Sequence, residues 1–158
     1  VNVVFSAAAL LLVAAGTLKL ARPSTTAKAL NVAPLVVRAG AGIEAILGLA
    51  ALTSGGWWSA VLVGASYVAF AVFVISALAS GRPLATCGCF GEPDTRPTVP
   101  HVIIDLGFAV ASLVAAANGE ARPLLRLGAA SWVGALAVAY LAFLALSSLP
   151  RLLDEVRR

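Results

Sequence analysis

Two cysteines separated by one residue, in Cys87-Gly88-Cys89-Phe90-Gly91, carry the most reactive chemistry in this sequence. They are its only sulfur-bearing residues, since the chain has 2 Cys and no Met. Thiols this close can join only in a small ring, and Gly88 supplies the backbone freedom that such a closure needs. A disulfide in so tight a ring is strained, and strained disulfides are the labile, oxidising kind. The spacing therefore suits a dithiol/disulfide relay. Two other readings stay open: a pair of inert thiols in a turn, or a metal site. A structural zinc site takes four ligands, and the single histidine of the chain is His101; no metal is assigned. Two cysteines are too few for a disulfide framework.

Five charged or titratable groups in or beside apolar stretches are the next candidates. His101 and Asp105 stand four apart, hence on one face if that stretch is helical. Asp105 then either answers the helix dipole or orients His101, which in turn would take a proton from a thiol and favour the thiolate. Glu44 lies deep in an apolar stretch, where an ionisable group is expensive and points to function or to a polar partner on a neighbouring helix. Arg38, six residues earlier, is about 9 Å away along a helix and about 120° around it, so the two do not pair readily. Lys19 lies near the end of its apolar stretch and is expected to snorkel toward the interface.

These groups need a scaffold, and composition says which kind. Of 158 residues, 61% are hydrophobic and 11% charged, with a mean hydropathy of +0.99. Soluble domains carry about 25% charged residues, and a domain this small cannot hide so much apolar surface from water. The same composition excludes disorder, and no basic stripe is present to bind nucleic acid. The expected fold class is all-α: one polytopic membrane helix bundle over residues 1–158. A span needs about 20 apolar residues, and stretches 3–20, 34–52, 57–79, 102–117 and 127–149 qualify. The last is expected to end at Pro150. That makes about five transmembrane helices, or four plus one interfacial helix if the short stretch carrying Asp105 does not cross. The first stretch lacks a basic lead-in and reads as a retained helix. Trp57 and Trp58 suit an interfacial belt, and recurrent Gly and Ala suit close helix packing.

The loop over residues 80–100 separates the third and fourth spans and holds both cysteines; loops longer than about 12–15 residues are uncommon unless they act. Nine of the eleven Lys and Arg residues fall on the side of the membrane that holds this loop, with Arg122 and Arg126 opposite. The positive-inside rule then places the loop and the tail in the cytoplasm.

Taken in order, these residues resemble the MauE branch of the DoxX-like membrane proteins. Gly16-Thr17-Leu18-Lys19-Leu20 with Arg22-Pro23 is similar to the opening helix and loop of that branch. Glu44 is similar to its acidic position in the second helix, and Cys87-Gly88-Cys89-Phe90-Gly91 to its most specific signature. Ile104-Asp105 stands near the place where the family often has an Arg-Asn pair. The resemblance implies a part in methylamine metabolism. Family members are linked to maturation of the disulfide-dense, periplasmic small subunit of methylamine dehydrogenase, often beside a thioredoxin-like partner.

The expected function is therefore thiol–disulfide redox transfer in a bacterial inner (plasma) membrane. Cys87 and Cys89 would react, His101 would assist, and a thioredoxin-like or disulfide-rich protein would be the partner. A periplasmic partner and a cytoplasmic loop conflict, unless electrons cross the bilayer or the loop dips into the bundle to meet a quinone. No cofactor is identified beyond that open place for a quinone. Two competitors remain: a non-enzymatic subunit or assembly factor that uses the loop for docking, and a small transporter coupled through Glu44. The lack of internal repeats argues against transport.

Overall fold

The computed structural model describes residues 1–79 and 98–156. The motif Cys87-Gly88-Cys89-Phe90-Gly91, with Arg82 and Arg96, lies outside the described residues. All regular elements among the described residues are helical: α1 (Asn2–Ala21), α2 (Pro23–Leu30), α3 (Pro34–Thr53), α4 (Trp57–Ala79), α5 (Val99–Ala117) and α6 (Ala129–Val156), with a 3₁₀ turn at Leu124–Arg126. Five of these helices, all but α2, are long and apolar enough to cross a bilayer. The third span has the bounds expected for it, and the first two differ by a residue at an end.

Local chemistry explains the breaks. Proline disfavours the helical conformation in the residue before it, and Arg22, ahead of Pro23, leaves the helix with φ −132° and ψ 58°. Pro23 then opens α2 at a position where a missing N–H does no harm. Asn31 closes α2 in the left-handed region, at φ 54° and ψ 44°, a conformation that Asn tolerates better than most residues. At the end of α5, Glu120 N–H donates to the Ala115 carbonyl and Gly119 N–H to that of Ala116. With Gly119 at φ 65°, this is a Schellman closure.

Three helix ends differ from expectation by more than a residue, one of them the start of the fifth span, which falls at Ala129 in place of residue 127. The fourth span begins at Val99, three residues early, because Pro100 fits the first turn of a helix. The fifth does not stop at Pro150 but runs through it to Val156. A proline inside a helix removes one backbone hydrogen bond, and membrane helices tolerate that where another group satisfies the freed carbonyl.

Helix α1 is the axis of the bundle and touches every other helix. Its side chains Phe5, Ala8, Leu11 and Leu12 lie in the core. The outward faces are apolar, with Ile46 of α3 70% exposed and Leu35, Ile43, Val110 and Leu141 also exposed. Such a surface suits lipid and not water. Several hydroxyls bond to carbonyls one turn back, as Thr17, Ser66, Ser76 and Ser147 do. Helices that face lipid must satisfy polar groups internally in this way.

The closest approach is between α1 and α3. A Cβ on Gly16 would meet the Ala41 carbonyl at 2.6 Å and the Ala45 nitrogen at 2.7 Å, and one on Gly48 would meet the Ala9 carbonyl at 2.6 Å. Hydrogen as a side chain is what lets these backbones touch. At the far end, Gly56 N–H donates to the Ala121 carbonyl at 2.7 Å and ties the α3–α4 turn to the α5–α6 connection.

Gly16→Ala should force α1 and α3 apart and destabilise the bundle by about 1–3 kcal/mol. Gly40→Ala, where a Cβ meets nothing within 4 Å, should leave it unchanged. Thermal unfolding in detergent micelles measures both, and equal melting temperatures for the two variants would contradict the close approach.

Candidate functional site

The close contact at Gly16 places the next turn of α1 against α3. Lys19 lies three residues beyond Gly16, and Glu44 lies between Ala41 and Ala45, which Gly16 touches. The ammonium of Lys19 donates to both oxygens of Glu44, at 2.9 Å and 2.7 Å. Lys19 is 9% exposed. It does not snorkel to the interface as expected, because a carboxylate on the neighbouring helix meets it first. Glu44 finds its polar partner in that lysine, and Arg38 is exposed on the outer surface.

The other face of the ammonium looks onto the Phe70 ring, 5.2 Å from its centroid, a favourable place for a cation. Phe70 meets Tyr67 edge-on at 5.7 Å, and Tyr67 packs on Phe108 at 5.2 Å. The Tyr67 hydroxyl donates to the Ala8 carbonyl at 2.9 Å. An aromatic column thus links α4 and α5 to the axis helix and supports Lys19 from below.

His101 and Asp105 come to the same place from α5. Both are buried and, with Lys19, Tyr67 and Leu146, they line a cavity of about 40 Å³. A cavity of this size, with the polar ends of Lys19, His101 and Asp105 on an otherwise mostly apolar wall, has room for a water molecule. One cation therefore faces two carboxylates, Glu44 in direct contact and Asp105 across the cavity, with His101 the further group there able to take a proton.

Asp105 is not the hydrogen-bond partner of the His101 ring. Nδ1 lies 2.8 Å from Thr98 Oγ1, and the main chain of Leu146 faces the ring. Leu146 is four residues before Pro150, so its carbonyl is the one that the missing proline N–H leaves free. The interrupted helix thus turns an unpaired acceptor toward the histidine. Nor does the helix dipole account for Asp105. The earlier start of α5 leaves no acidic residue in its first turn, and the dipole effect fades beyond that turn.

Sequence reasoning missed Tyr67, Thr98 and the Leu146 carbonyl. Pro150 was the available signal, since a proline inside a helix points to an unpaired carbonyl four residues earlier. Among the described residues no group of three His, Cys, Asp or Glu side chains is placed to hold a metal. The cluster lies at one end of the bundle, two residues from the end of α1 and two from the start of α5. The described chain leaves α4 at that same end after Ala79 and re-enters at Thr98; Cys87 and Cys89 lie outside the described residues.

The family of methylamine utilisation protein MauE matches residues 1–118, about three quarters of the chain, and the chain belongs to that family. No curated protein and no solved structure matches it. The matched region takes in α1 to α5 with the cysteine segment, and omits α6. This is a multi-pass membrane protein of the MauE family.

Lys19→Met leaves a carboxylate unpaired among apolar groups and should destabilise the bundle by on the order of 3 kcal/mol. The double variant Lys19→Met/Glu44→Leu should recover most of that loss in thermal unfolding, whereas additive losses would deny the coupling. Pro150→Ala returns an N–H that competes for the Leu146 carbonyl. The His101 ring resonances in ¹⁵N-imidazole NMR should then shift, and unmoved resonances would break the link between Pro150 and the histidine.

Proposed function

We propose that this MauE-family protein is a thiol–disulfide redox protein of a bacterial inner membrane, with Cys87 and Cys89 as the exchanging pair and a partner protein as its client during maturation. One observation supports the reading above others: Lys19, Glu44, His101 and Asp105 cluster at the end of the bundle where α4 ends and α5 begins, the two helix ends that flank the cysteines in sequence. Thiolate chemistry requires groups that accept and return protons, and no other part of the described bundle concentrates them.

In the forward exchange, a client thiolate attacks one sulfur of the Cys87–Cys89 disulfide, and the other sulfur leaves as thiolate. The second client thiolate then attacks the mixed disulfide. The client gains a disulfide, and the pair is left reduced by two electrons. Protons lost by the client thiols match those gained by the cysteines. His101 is placed to take part in that transfer, its ring anchored by Thr98 and facing Leu146, with Asp105 facing the same cavity. The bias of Lys and Arg residues favours a cytoplasmic place for this end of the bundle, whereas a periplasmic client requires the opposite orientation, and the labelling experiment below decides between them. The link of the family to methylamine utilisation makes the maturing dehydrogenase subunit a candidate client.

Cys87→Ser/Cys89→Ser should abolish client oxidation while the bundle remains folded. In intact cells, a membrane-impermeant maleimide should label the wild-type cysteines only after reduction. Labelling before permeabilisation would place the pair outside, and labelling only after it would place the pair inside. Thiols that label without reduction under every condition, with a double serine variant that retains its phenotype, would replace the redox reading with a docking subunit.

A further inference from the structure

A second cavity lies on the other side of Lys19. It has a volume of about 330 Å³ between α2, α3 and α4, and Lys19, Glu44 and Phe70 form its inner wall. Small-molecule sites begin at about 300 Å³. The rest of the lining is almost wholly apolar, including Val36, Val37 and Phe73. Val36, Val32 and Phe73 are exposed on the outer surface of the bundle, so the mouth opens where lipid would lie.

Two features call for a polar group in this apolar space. Thr26 lines the cavity and is 3% exposed, yet its hydroxyl has no hydrogen-bond partner. A buried unpaired hydroxyl costs about 1–3 kcal/mol; Ser6 and Ser112 are also unpaired among the described residues, but neither lines this cavity. The second is the Lys19 ammonium, which has three N–H groups and gives two bonds to Glu44. Both groups can donate. The ion pair sums to zero charge, so an anionic head would meet Glu44 and a cationic one Lys19. A neutral acceptor suits both. Phe70 and Phe73 add aromatic walls, which favour a flat ring.

We propose that this cavity binds a membrane-soluble quinone, its carbonyl oxygen accepting from the Thr26 hydroxyl and facing Lys19, with its apolar tail leaving between α2 and α4 into the bilayer. Binding stands on the cavity alone. Its use rests on the redox reading above: the reduced Cys87/Cys89 pair becomes a disulfide, giving up two electrons and two protons, and the quinone takes up both to become a quinol. This reaction supplies the oxidant that turnover of the pair requires.

The test is binding of decylubiquinone to the full chain in nanodiscs, with decylbenzene as a competitor that has the chain and ring but no carbonyl. Wild type should bind saturably, and decylbenzene should fail to compete. Thr26→Val, close in shape, should weaken binding about 3- to 10-fold, the loss of one hydrogen bond. Gly40→Phe should abolish it, because Gly40 lines the cavity and a Cβ there meets nothing within 4 Å. Melting temperatures near that of wild type certify that both variants are folded. Equal competition by decylbenzene, or unchanged affinity in both folded variants, would overturn the proposal in favour of a lipid-filled groove. Cys87→Ser/Cys89→Ser separates the two readings. Binding should persist in it while quinol formation from dithiothreitol is lost. Client oxidation without quinone binding would remove this proposal alone; quinone binding with inert cysteines would remove the redox reading alone.

Discussion

A lysine and a glutamate held 2.7 Å apart within a lipid-facing bundle set the terms for the rest of this structure. Either charge alone would carry a large desolvation penalty in hydrocarbon, so each has to meet the other in place. Long side chains reach only a few ångströms across a helix interface, and the backbones must therefore come close. Gly16 and the alanines at 41 and 45 permit that approach next to the pair, and Gly48 repeats it farther along the same interface. The small residues and the charges are two parts of one arrangement. It follows that α1 is the buried axis and that α3 keeps a broad apolar face for lipid.

The pair also divides the interior. On one side is a small cavity with His101 and Asp105, and on the other a larger apolar one with Thr26. Lys19 and Phe70 belong to both walls. Groups that handle protons are thus set apart from a lipid-accessible space by a neutral, hydrogen-bonded partition. His101 is anchored by the Thr98 hydroxyl at 2.8 Å, a group that does not titrate, and its position therefore does not depend on a bond to Asp105.

Parts of this site could be read in the sequence because they depend on local rules. Glu44 is conspicuous in an apolar stretch, and helical geometry is enough to reject Arg38 as its partner. Lys19 could not be placed in the same way. Its position near a helix end suits snorkelling as well as pairing, and only the crossing of α1 over α3 distinguishes the two. His101 and Asp105 share a face by spacing, as expected, yet that proximity does not become a hydrogen bond. Thr98 and Leu146 are better placed, and Leu146 lies on a helix remote in sequence. Thr26 carried no signal at all, since a threonine in a short connecting helix is ordinarily solvated.

The sequence by itself determined the solvent in which this chain lives, five stretches able to cross a bilayer and most of their limits. Hydropathy, proline and glycine act over a turn or two of backbone, so their effects can be summed along the chain. It also determined which residues could react, because thiols, imidazole and carboxylates are reactive wherever they are placed. Tertiary structure alone decided which of them meet: Lys19 with Glu44, His101 with the carbonyl that Pro150 releases, and Thr26 with a cavity in place of water. Those choices turn on interhelical distances, and an interhelical distance is set by two surfaces together, neither of which is written in a single stretch of sequence.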